Sequence, residues 1–213
     1  MPPKPKVTKE QIIDAALNIV REKGIEKVTA REVGKALDVS SRPVFTYYDG
    51  MDELKADLYK TAMEIYESYV NNVSETVRPL QAFGHRTLRF IYEEPELFKM
   101  LAFSNTENRD SSSLIGSHAF FEKTFSKIKG FIIESLDMTE FEAKCFYRHL
   151  WIHLMGLGML IISGGFPYSE EEIKKMMSEE CLAICKAYKE IPALTNGKLD
   201  PGGEFAKILK KKY

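Results

Sequence analysis

The stretch "TAREVGKALDVSSRPVFTYYDG", residues 29–50, decides how the N-terminal part of the chain folds. Thr29 and Glu32 have the three-residue spacing of a capping box at a helix N-terminus. Apolar residues then recur at helical spacing up to Leu37. After the short turn "DVS", a second short helix is predicted, with Pro43 in its first turn, where no intrahelical amide bond is lost. Two short helices joined in this way are typical of a helix-turn-helix, whose second helix can enter a DNA major groove.

The second helix carries polar side chains on a short, stiff frame. Its N-cap is left open between Ser40 and Ser41. Arg42 can pair with a guanine edge at two points, for about 1–3 kcal/mol of discrimination, and Pro43 can contact a thymine methyl. Tyr47 can donate a hydrogen bond to a phosphate. The helix is thus predicted to present donors and acceptors outward at Ser41, Arg42, Thr46 and Tyr47, while Val44 and Tyr48 hold it against its neighbours.

An amphipathic helix is predicted to precede this pair. Thr8 and Gln11 have the spacing of another capping box, and Gly24 stands where a left-handed residue would end a helix. From Ile12 onward, apolar residues recur at three- and four-residue steps. Three short helices in succession are therefore expected at the N-terminus.

From Ile12 through Leu54 the residues resemble the TetR family of transcriptional regulators. The resemblance rests on a first helix ending "EKG" and on the later "VTAREVGKALDVSSRPVFTYYDGMDEL", with an aromatic at Phe45 and an aromatic pair at Tyr47 and Tyr48. It implies a small N-terminal DNA-binding domain and a larger C-terminal domain that dimerises and binds an inducer.

The resemblance also implies which side chains touch DNA. It implies base-edge contacts from Ser41, Arg42, Pro43 and Thr46, and phosphate or sugar contacts from Thr29, Phe45 and Tyr47. One position departs from the family pattern, because Met51 stands where a lysine that touches phosphate commonly opens the fourth helix. That contact is expected to be missing or to come from elsewhere, for example from Lys55 or the N-terminal "PPKPK".

Composition is that of an ordinary globular protein. The 213 residues are 44% hydrophobic and 29% charged, and the net charge of −1 excludes a polybasic protein but not a local basic face. Three scattered cysteines indicate a reducing compartment rather than a disulfide framework. The apolar run 150–166 falls short of the ~20 residues that span a bilayer, and no secretory signal is evident. We therefore expect a cytoplasmic protein with no membrane partner.

The rest of the chain shows helical spacing, and no strand alternation persists. One helix is predicted from 52 to about 77, and "SNTENRDSSS", residues 104–113, is predicted to be a loop. The predicted fold is all-α, with a three-helix helix-turn-helix DNA-binding domain at 1–50, a larger helical ligand-binding and dimerisation domain at 51–190, and a C-terminal tail at 191–213.

Two long helices are predicted at 140–162 and 170–188, separated by "SGGFPYSEEE". Within the first, "WIHLMGLG", residues 151–158, has small residues that allow close backbone approach. By resemblance, these two helices pair across a twofold axis into a four-helix bundle. A homodimer also suits DNA binding, because two recognition helices must reach major grooves about 34–36 Å apart.

The larger domain is rich in aromatic residues and methionine. Such residues can simply fill a core, or they can line an apolar pocket for a hydrophobic or aromatic ligand. The candidate ligand-binding residues are Phe90, Phe103, Phe121, Phe125, Tyr147, Trp151 and Met155. No cofactor is expected, and the identity of the small-molecule effector is left open.

Cys145, His149 and His153 recur every four residues, and Cys181 and Cys185 do so further on. Thiolate and imidazole at that spacing can ligate zinc, or the same residues can fill a helix interface. The chain has no glycine-rich phosphate loop and no nucleophile with a recognisable base, so no enzyme is expected.

The sequence therefore predicts a ligand-responsive transcriptional regulator acting as a repressor. It would bind palindromic operator DNA as a homodimer and be released by a small, largely hydrophobic effector. Two alternatives stay open: a metal-responsive regulator using Cys145, His149 and His153, and a helical small-molecule-binding protein without DNA binding.

Overall fold

The computed structural model describes residues 7–103, 115–165, 167–191, 193–196 and 198–210. Helices and turns account for their regular structure, with no strand in these ranges, so the all-α prediction is confirmed. The α-helices in chain order are α1 (Lys9–Lys23), α2 (Ala30–Ala36), α3 (Val44–Tyr47), α4 (Met51–Tyr69), α5 (Pro79–Glu93), α6 (Pro95–Phe103), α7 (Ile115–Leu136), α8 (Glu140–Ile162), α9 (Glu170–Glu190), α10 (Ala193–Asn196) and α11 (Pro201–Lys210). The predicted loop at 104–113 lies outside the described residues.

One predicted boundary is wrong, because α4 ends at Tyr69 and not near residue 77. Asn72 adopts a left-handed backbone conformation with φ 53, which asparagine tolerates better than most residues and which a helix cannot contain. A 3₁₀ turn, Val73–Glu75, follows. Val73, which continues the apolar spacing of α4, is therefore buried from a separate turn.

The chain divides into two compact units. The first comprises residues 1–72 and 85–124, and the second comprises residues 73–84 and 125–213. The division into domains at residues 50 and 190 stays a prediction.

α4 supplies much of the core of the first unit. Tyr66 lies in it fully buried, and its hydroxyl oxygen is 3.0 Å from that of Thr87. Its ring meets Phe90 and Phe120 edge-on, with centroids 5.2 and 4.9 Å apart, an arrangement that aromatic pairs favour. Burial raises the pKa of Tyr66, so its hydroxyl stays neutral. Fully buried residues recur one turn apart along α4 at Leu54, Leu58, Ala62 and Tyr66.

The second unit contains α8 and α9, whose predicted positions are confirmed. Full capping boxes start both helices: Thr139 with Glu142, and Ser169 with Glu172. Phe146 and Tyr188 pack edge-on across the two helices, with centroids 5.4 Å apart. The sequence signal for both caps was a serine or threonine three residues before a glutamate.

Helix α8 is longer than its apolar run suggested, because it starts at Glu140 and spans 23 residues. Within the described ranges it is the one helix long and apolar enough, by length and composition alone, to cross a bilayer. The length criterion that excludes a membrane span for the apolar run 150–166 therefore does not apply to the whole of α8. Core and interface helices of globular proteins meet the same two criteria, so length does not decide what covers α8.

Candidate DNA interface and ligand cavity

The turn between α2 and α3 is closed by a Schellman motif. Asp38, just after α2, is left-handed with φ 53. Its amide donates to the Lys35 carbonyl at 3.2 Å, and the Val39 amide donates to the Gly34 carbonyl at 2.9 Å. A Cβ on Gly34 would lie 2.8 Å from the Ser40 carbonyl oxygen. Glycine is therefore needed at position 34 for the turn to fold back this closely.

The two predicted caps differ in outcome. At α2 the Thr29 hydroxyl accepts a hydrogen bond from the Glu32 amide at 3.2 Å. At α3 neither Ser40 nor Ser41 caps the helix with its side chain, so that prediction is wrong. The Val44 amide instead donates to the Ser41 carbonyl at 3.2 Å, which closes a tight turn before the helix. A side-chain cap is not needed, because that turn already satisfies the first amide.

The inner face of α3 is fixed to α1 and α4. Val44 and Tyr48 are buried, as predicted. The Tyr48 hydroxyl donates to Asp57 Oδ2 at 3.2 Å, and Lys9 Nζ lies 2.6 Å from the same oxygen. Lys9 also lies over the Tyr48 ring, 4.9 Å from its centroid. We call Lys9, Asp57 and Tyr48 the anchoring cluster, because they tie three helices of the first unit together.

Charge pairing in the anchoring cluster shifts its acid–base equilibria. The hydrogen bond to Asp57 raises the pKa of Lys9, and the bond from Lys9 lowers the pKa of Asp57. Burial, with the nearby Asp57 charge, raises the pKa of Tyr48, so the tyrosine remains a donor. The recognition helix is held by a donor and a cation that share one carboxylate oxygen.

The outer face of α3 is open to solvent. Arg42 and Thr46 are exposed, and 54% of the Phe45 surface is exposed. The Thr46 hydroxyl donates to the Arg42 carbonyl at 3.3 Å. Arg42 enters no ion pair within the described part of the chain. Ser41 and Pro43 are half-buried, so the predicted base-contacting residues lie together at the start of α3.

Two of the predicted contacts to the DNA backbone involve Tyr47 and the first turn of α4. The Tyr47 hydroxyl donates to the Val7 carbonyl at 3.0 Å, a bond that would have to exchange for a phosphate to be reached. Met51 is the first residue of α4 and is half-exposed, as is Lys55 one turn later. The "PPKPK" segment lies outside the described residues.

An apolar cavity of about 440 Å³ lies within the second unit. Of the predicted ligand-binding residues, Tyr147 and Trp151 line it. Phe125 packs on Tyr147, with ring centroids 5.4 Å apart, but is not in the lining, and neither is Met155. The cavity is lined by Val77, Arg78, Pro79, Leu80, Gln81, Phe83, Gly84, Phe131, Tyr147, Leu150, Trp151, His153, Leu154, Met177, Ser178, Cys181, Leu182 and Cys185.

The other predicted ligand residues belong to the first unit and do not line this cavity. Phe90 is fully buried in the core around Tyr66. Phe103 is 44% exposed and packs against Phe98, and Phe121 is half-buried. The structure thus brings together two of the seven candidates. Aromatic residues occur both in the packed core and in the cavity wall, because both are apolar. Residue type alone therefore did not distinguish the two.

Helices α5 and α9 supply cavity residues that sequence analysis did not identify. A Cβ on Gly84 would lie 2.7 Å from the terminal methyl of Met177, so these two residues are in close contact. The Nε2 atom of His153 is buried in the lining without a hydrogen-bond partner in the part of the chain that the structure describes. Since buried polar atoms are normally paired, His153 offers a polar contact to a bound molecule.

The three candidate zinc ligands of α8 do not form a metal site. Cys145 and His153 lie eight residues apart, about 12 Å along a helix axis, so one ion cannot reach both. His149 is exposed and packs on the Tyr188 ring, with centroids 5.9 Å apart. Among all described residues, no group of three or more His, Cys, Asp or Glu is placed to hold a metal ion. The metal-responsive alternative therefore stays a prediction, and no metal cluster among the described residues supports it.

A strip of apolar side chains on α8 and α9 is exposed. Ile152 is 62% exposed and Leu182 is 70% exposed. On α8, exposed apolar residues recur along one face at Phe141, Ile152, Met159 and Leu160. A Cβ added to Gly156, on the same face, would have no atom within 4 Å. We call these five side chains and Gly156 the α8–α9 face.

The sequence model described as bacterial regulatory proteins, tetR family, matches residues 12–58, which include α2, α3 and the anchoring cluster's Asp57. Comparison with curated proteins returns no match.

Two solved structures share the fold. One is a tetR-family transcriptional regulator from Streptomyces coelicolor, with a TM-score of 0.64 at 18% identity, covering 94% of each chain. Another, from Pseudomonas aeruginosa PAO1, was solved as a proposed transcriptional regulator and has a TM-score of 0.61 at 15% identity, covering 86% of this chain and 95% of its own.

The family match lies over the helix-turn-helix, and the all-α fold is common to this chain and both solved structures. Residues 12–58 are therefore similar to bacterial regulatory proteins of the tetR family, and the chain shares the fold of the two solved structures.

Proposed function

We propose that the protein is a homodimeric, ligand-responsive repressor that binds palindromic operator DNA and leaves it when a small, largely hydrophobic effector binds. The observation that carries this proposal is the two-sided character of α3. Val44 and Tyr48 are buried beneath it, while Arg42, Phe45 and Thr46 face solvent. Because this packing holds α3 in place, little further conformational entropy is lost when its outer side chains bind DNA.

For DNA contact we propose the residues that the sequence predicted. Arg42 would pair with a guanine edge, helped by Ser41, Pro43 and Thr46. Thr29, Phe45 and Tyr47 would contact the sugar–phosphate backbone and fix the register. Thr29 is exposed at the N-terminus of α2, where the helix dipole also favours phosphate. A phosphate contact by Tyr47 requires its hydroxyl to leave Val7.

For the effector we propose the cavity of the second unit. Its volume of about 440 Å³ is in the range of small-molecule sites, and its wall is mainly apolar. Tyr147 and Trp151 would stack on the ligand, and His153 would supply a polar contact.

For the dimer we propose the α8–α9 face, in line with the predicted helices 140–162 and 170–188. Exposed apolar area of this extent on two adjacent helices is costly unless covered. Gly156 leaves room for a second backbone to approach. Covering α8 in this way also fits a cytoplasmic protein with no membrane partner and no catalytic role.

Regulation would follow from linkage. The effector would favour dimers whose recognition helices are wrongly spaced for successive major grooves, so operator affinity falls. Operator DNA must then weaken effector binding by the same factor.

The test is selection of bound sequences from a random duplex pool, followed by fluorescence anisotropy against salt. We expect an enriched palindrome with half-sites about one turn apart and an affinity that falls steeply with salt. Sequence-indifferent binding, even after refolding to remove any carried ligand, would contradict the repressor and favour a small-molecule-binding protein.

Trp151 allows an independent test of the cavity, because it is the only tryptophan in the chain. An apolar effector should change its fluorescence and lower operator affinity over the same concentration range. A fluorescence change with unaltered operator affinity would contradict the regulatory part of the proposal.

A further inference from the structure

Two of the three cysteines line the cavity side by side. Cys181 and Cys185 lie one turn apart on α9. Both are half-buried, and neither forms a disulfide. Cys145, on α8, is equally half-buried but outside the lining. The cavity therefore contains a thiol pair, and the chain carries its own reference cysteine.

The two thiols are not equivalent. Their mutual side-chain interaction raises the pKa of Cys181 and lowers the pKa of Cys185. Lys189, one turn further along α9, favours the Cys185 thiolate as well. Its ammonium group is fixed by donation to the Leu136 carbonyl at 2.9 Å. Burial and the nearby C-terminal end of α9 act in the opposite direction.

Oxidation of the pair to a disulfide is disfavoured by the helix that carries it. Cβ atoms four residues apart on a helix are about 5–6 Å apart, whereas a disulfide requires about 3.8 Å. The reactive partner of Cys185 is therefore a molecule that enters the cavity. The wall around the thiols favours an apolar molecule, and His153 Nε2, in its protonated tautomer, can donate to a carbonyl oxygen.

We propose that Cys185 is a covalent modification site for apolar compounds with a carbon–carbon double bond conjugated to a carbonyl. The proposal rests on the cavity being the effector site. Cys181 acts as a positioning residue, since its S–H stabilises the attacking thiolate.

The reaction is a conjugate addition that needs no oxidant and has no leaving group. Cys185 first releases its proton to water. The thiolate sulfur then donates an electron pair to the β-carbon, forming the S–C bond while the C=C π bond breaks. The displaced electrons form an enolate, which takes a proton from Cys181 at the α-carbon. Cys181 regains its proton from water, and a saturated thioether adduct results.

The experiment compares two maleimides of equal ring chemistry on the full-length protein, N-phenylmaleimide and N-(carboxymethyl)maleimide. Peptide mass spectrometry gives the labelling rate at each cysteine. We expect N-phenylmaleimide to label Cys185 about tenfold faster than Cys145, because Cys185 lines the apolar cavity, where the probe binds, and Cys145 does not. The anionic probe should show a smaller preference, because the cavity wall is apolar.

Variants at position 181 separate positioning from packing. Cys181→Ala should slow labelling of Cys185 several-fold, and Cys181→Ser, which keeps a donor, should restore it. Equal rates at Cys185 and Cys145 with both probes would overturn the proposal. So would preferential labelling of Cys181, or loss of two hydrogen masses from the pair in place of an adduct.

Operator anisotropy on the labelled protein distinguishes this proposal from the effector role of the cavity. Release of DNA by the wild-type adduct, absent in treated Cys185→Ser, supports both. A Cys185 adduct that leaves operator affinity unchanged supports the modification site and contradicts the effector role.

Discussion

The helix-turn-helix and the α8–α9 face differ in the kind of side chain that they expose to solvent. Around α3, Val44 and Tyr48 are buried, and the exposed surface carries Arg42 and Thr46 beside Phe45. On α8 and α9, aliphatic side chains such as Ile152 and Leu182 are more than half exposed. The first region has a mainly polar surface that suits a charged, hydrated partner. The second has an apolar surface that suits a second protein chain. One chain thus carries two surfaces whose chemistry suits different partners.

The largest expected effect comes from a charge on the apolar interface. Ile152→Glu should leave the single chain folded, because the side chain is 62% exposed, but it should prevent dimerisation. Losing the linked second half-site should lower operator affinity about 10²–10⁴-fold. Sedimentation equilibrium gives the oligomeric state, and anisotropy gives the affinity.

Phe205→Glu is the matched control. Phe205 is 66% exposed on α11, outside the α8–α9 face, so its replacement should change neither state nor affinity. A dimer that survives Ile152→Glu would mean that another surface holds the two copies together.

The next largest effect is expected at Gly34, where the backbone approaches closely in the turn between α2 and α3. Gly34→Ala places a Cβ 2.8 Å from a backbone oxygen that cannot rotate away. We expect a loss of about 1–3 kcal/mol in the free energy of unfolding, as for other overpacked sites, together with weaker operator binding. Urea unfolding followed by circular dichroism measures the first quantity.

Gly130→Ala is a suitable comparison, because an added Cβ on that α7 residue would have no atom within 4 Å. It should stabilise the protein by about 0.5–1 kcal/mol, the usual advantage of alanine over glycine within a helix. Equal destabilisation by both variants would show that the turn can relax.

The third effect concerns specificity. Arg42→Ala should cost about 1–3 kcal/mol of operator binding, and Arg42→Lys should keep the salt dependence while losing discrimination at one base pair. Anisotropy against the selected operator and single-base variants measures both. If Arg42→Lys binds all of these duplexes as the wild type does, Arg42 contacts phosphate rather than a base.

Much of the fold followed from local sequence signals. The bounds of α8 and α9 were predictable because capping residues and apolar spacing agree there, and Val44 and Tyr48 were predictable as the inner face of α3. Signals of this kind act within a few residues, so one sequence suffices to find them.

What escaped prediction depends on contacts that are distant along the chain or on backbone space. Asp57 accepts from Tyr48 and pairs with Lys9, and no spacing rule connects those three positions. Gly34 looked like an ordinary helix residue, because the atoms that exclude a Cβ belong to the next turn. Only Tyr147 and Trp151 of the predicted ligand residues line the cavity. Aromatic residues also fill the core around Tyr66, so their presence alone did not locate the cavity.

The smallest expected effect tests the anchoring cluster through pH. Lys9 lowers the folded-state pKa of Asp57, so the stability from this carboxylate is fully present above the ordinary aspartate pKa of about 3.9 and is lost as pH falls through the lowered value. Asp57→Asn should therefore flatten the acid limb of the stability curve, because it removes a small contribution at neutral pH, where exposed ion pairs contribute little, and leaves stability at the acid end nearly unchanged. Tyr48→Phe removes the hydroxyl donor but keeps the ion pair, so its acid limb should keep most of its slope. Urea midpoints measured from pH 3 to pH 7 would show this difference, and parallel curves for wild type and Asp57→Asn would mean that the cluster positions α3 without stabilising it.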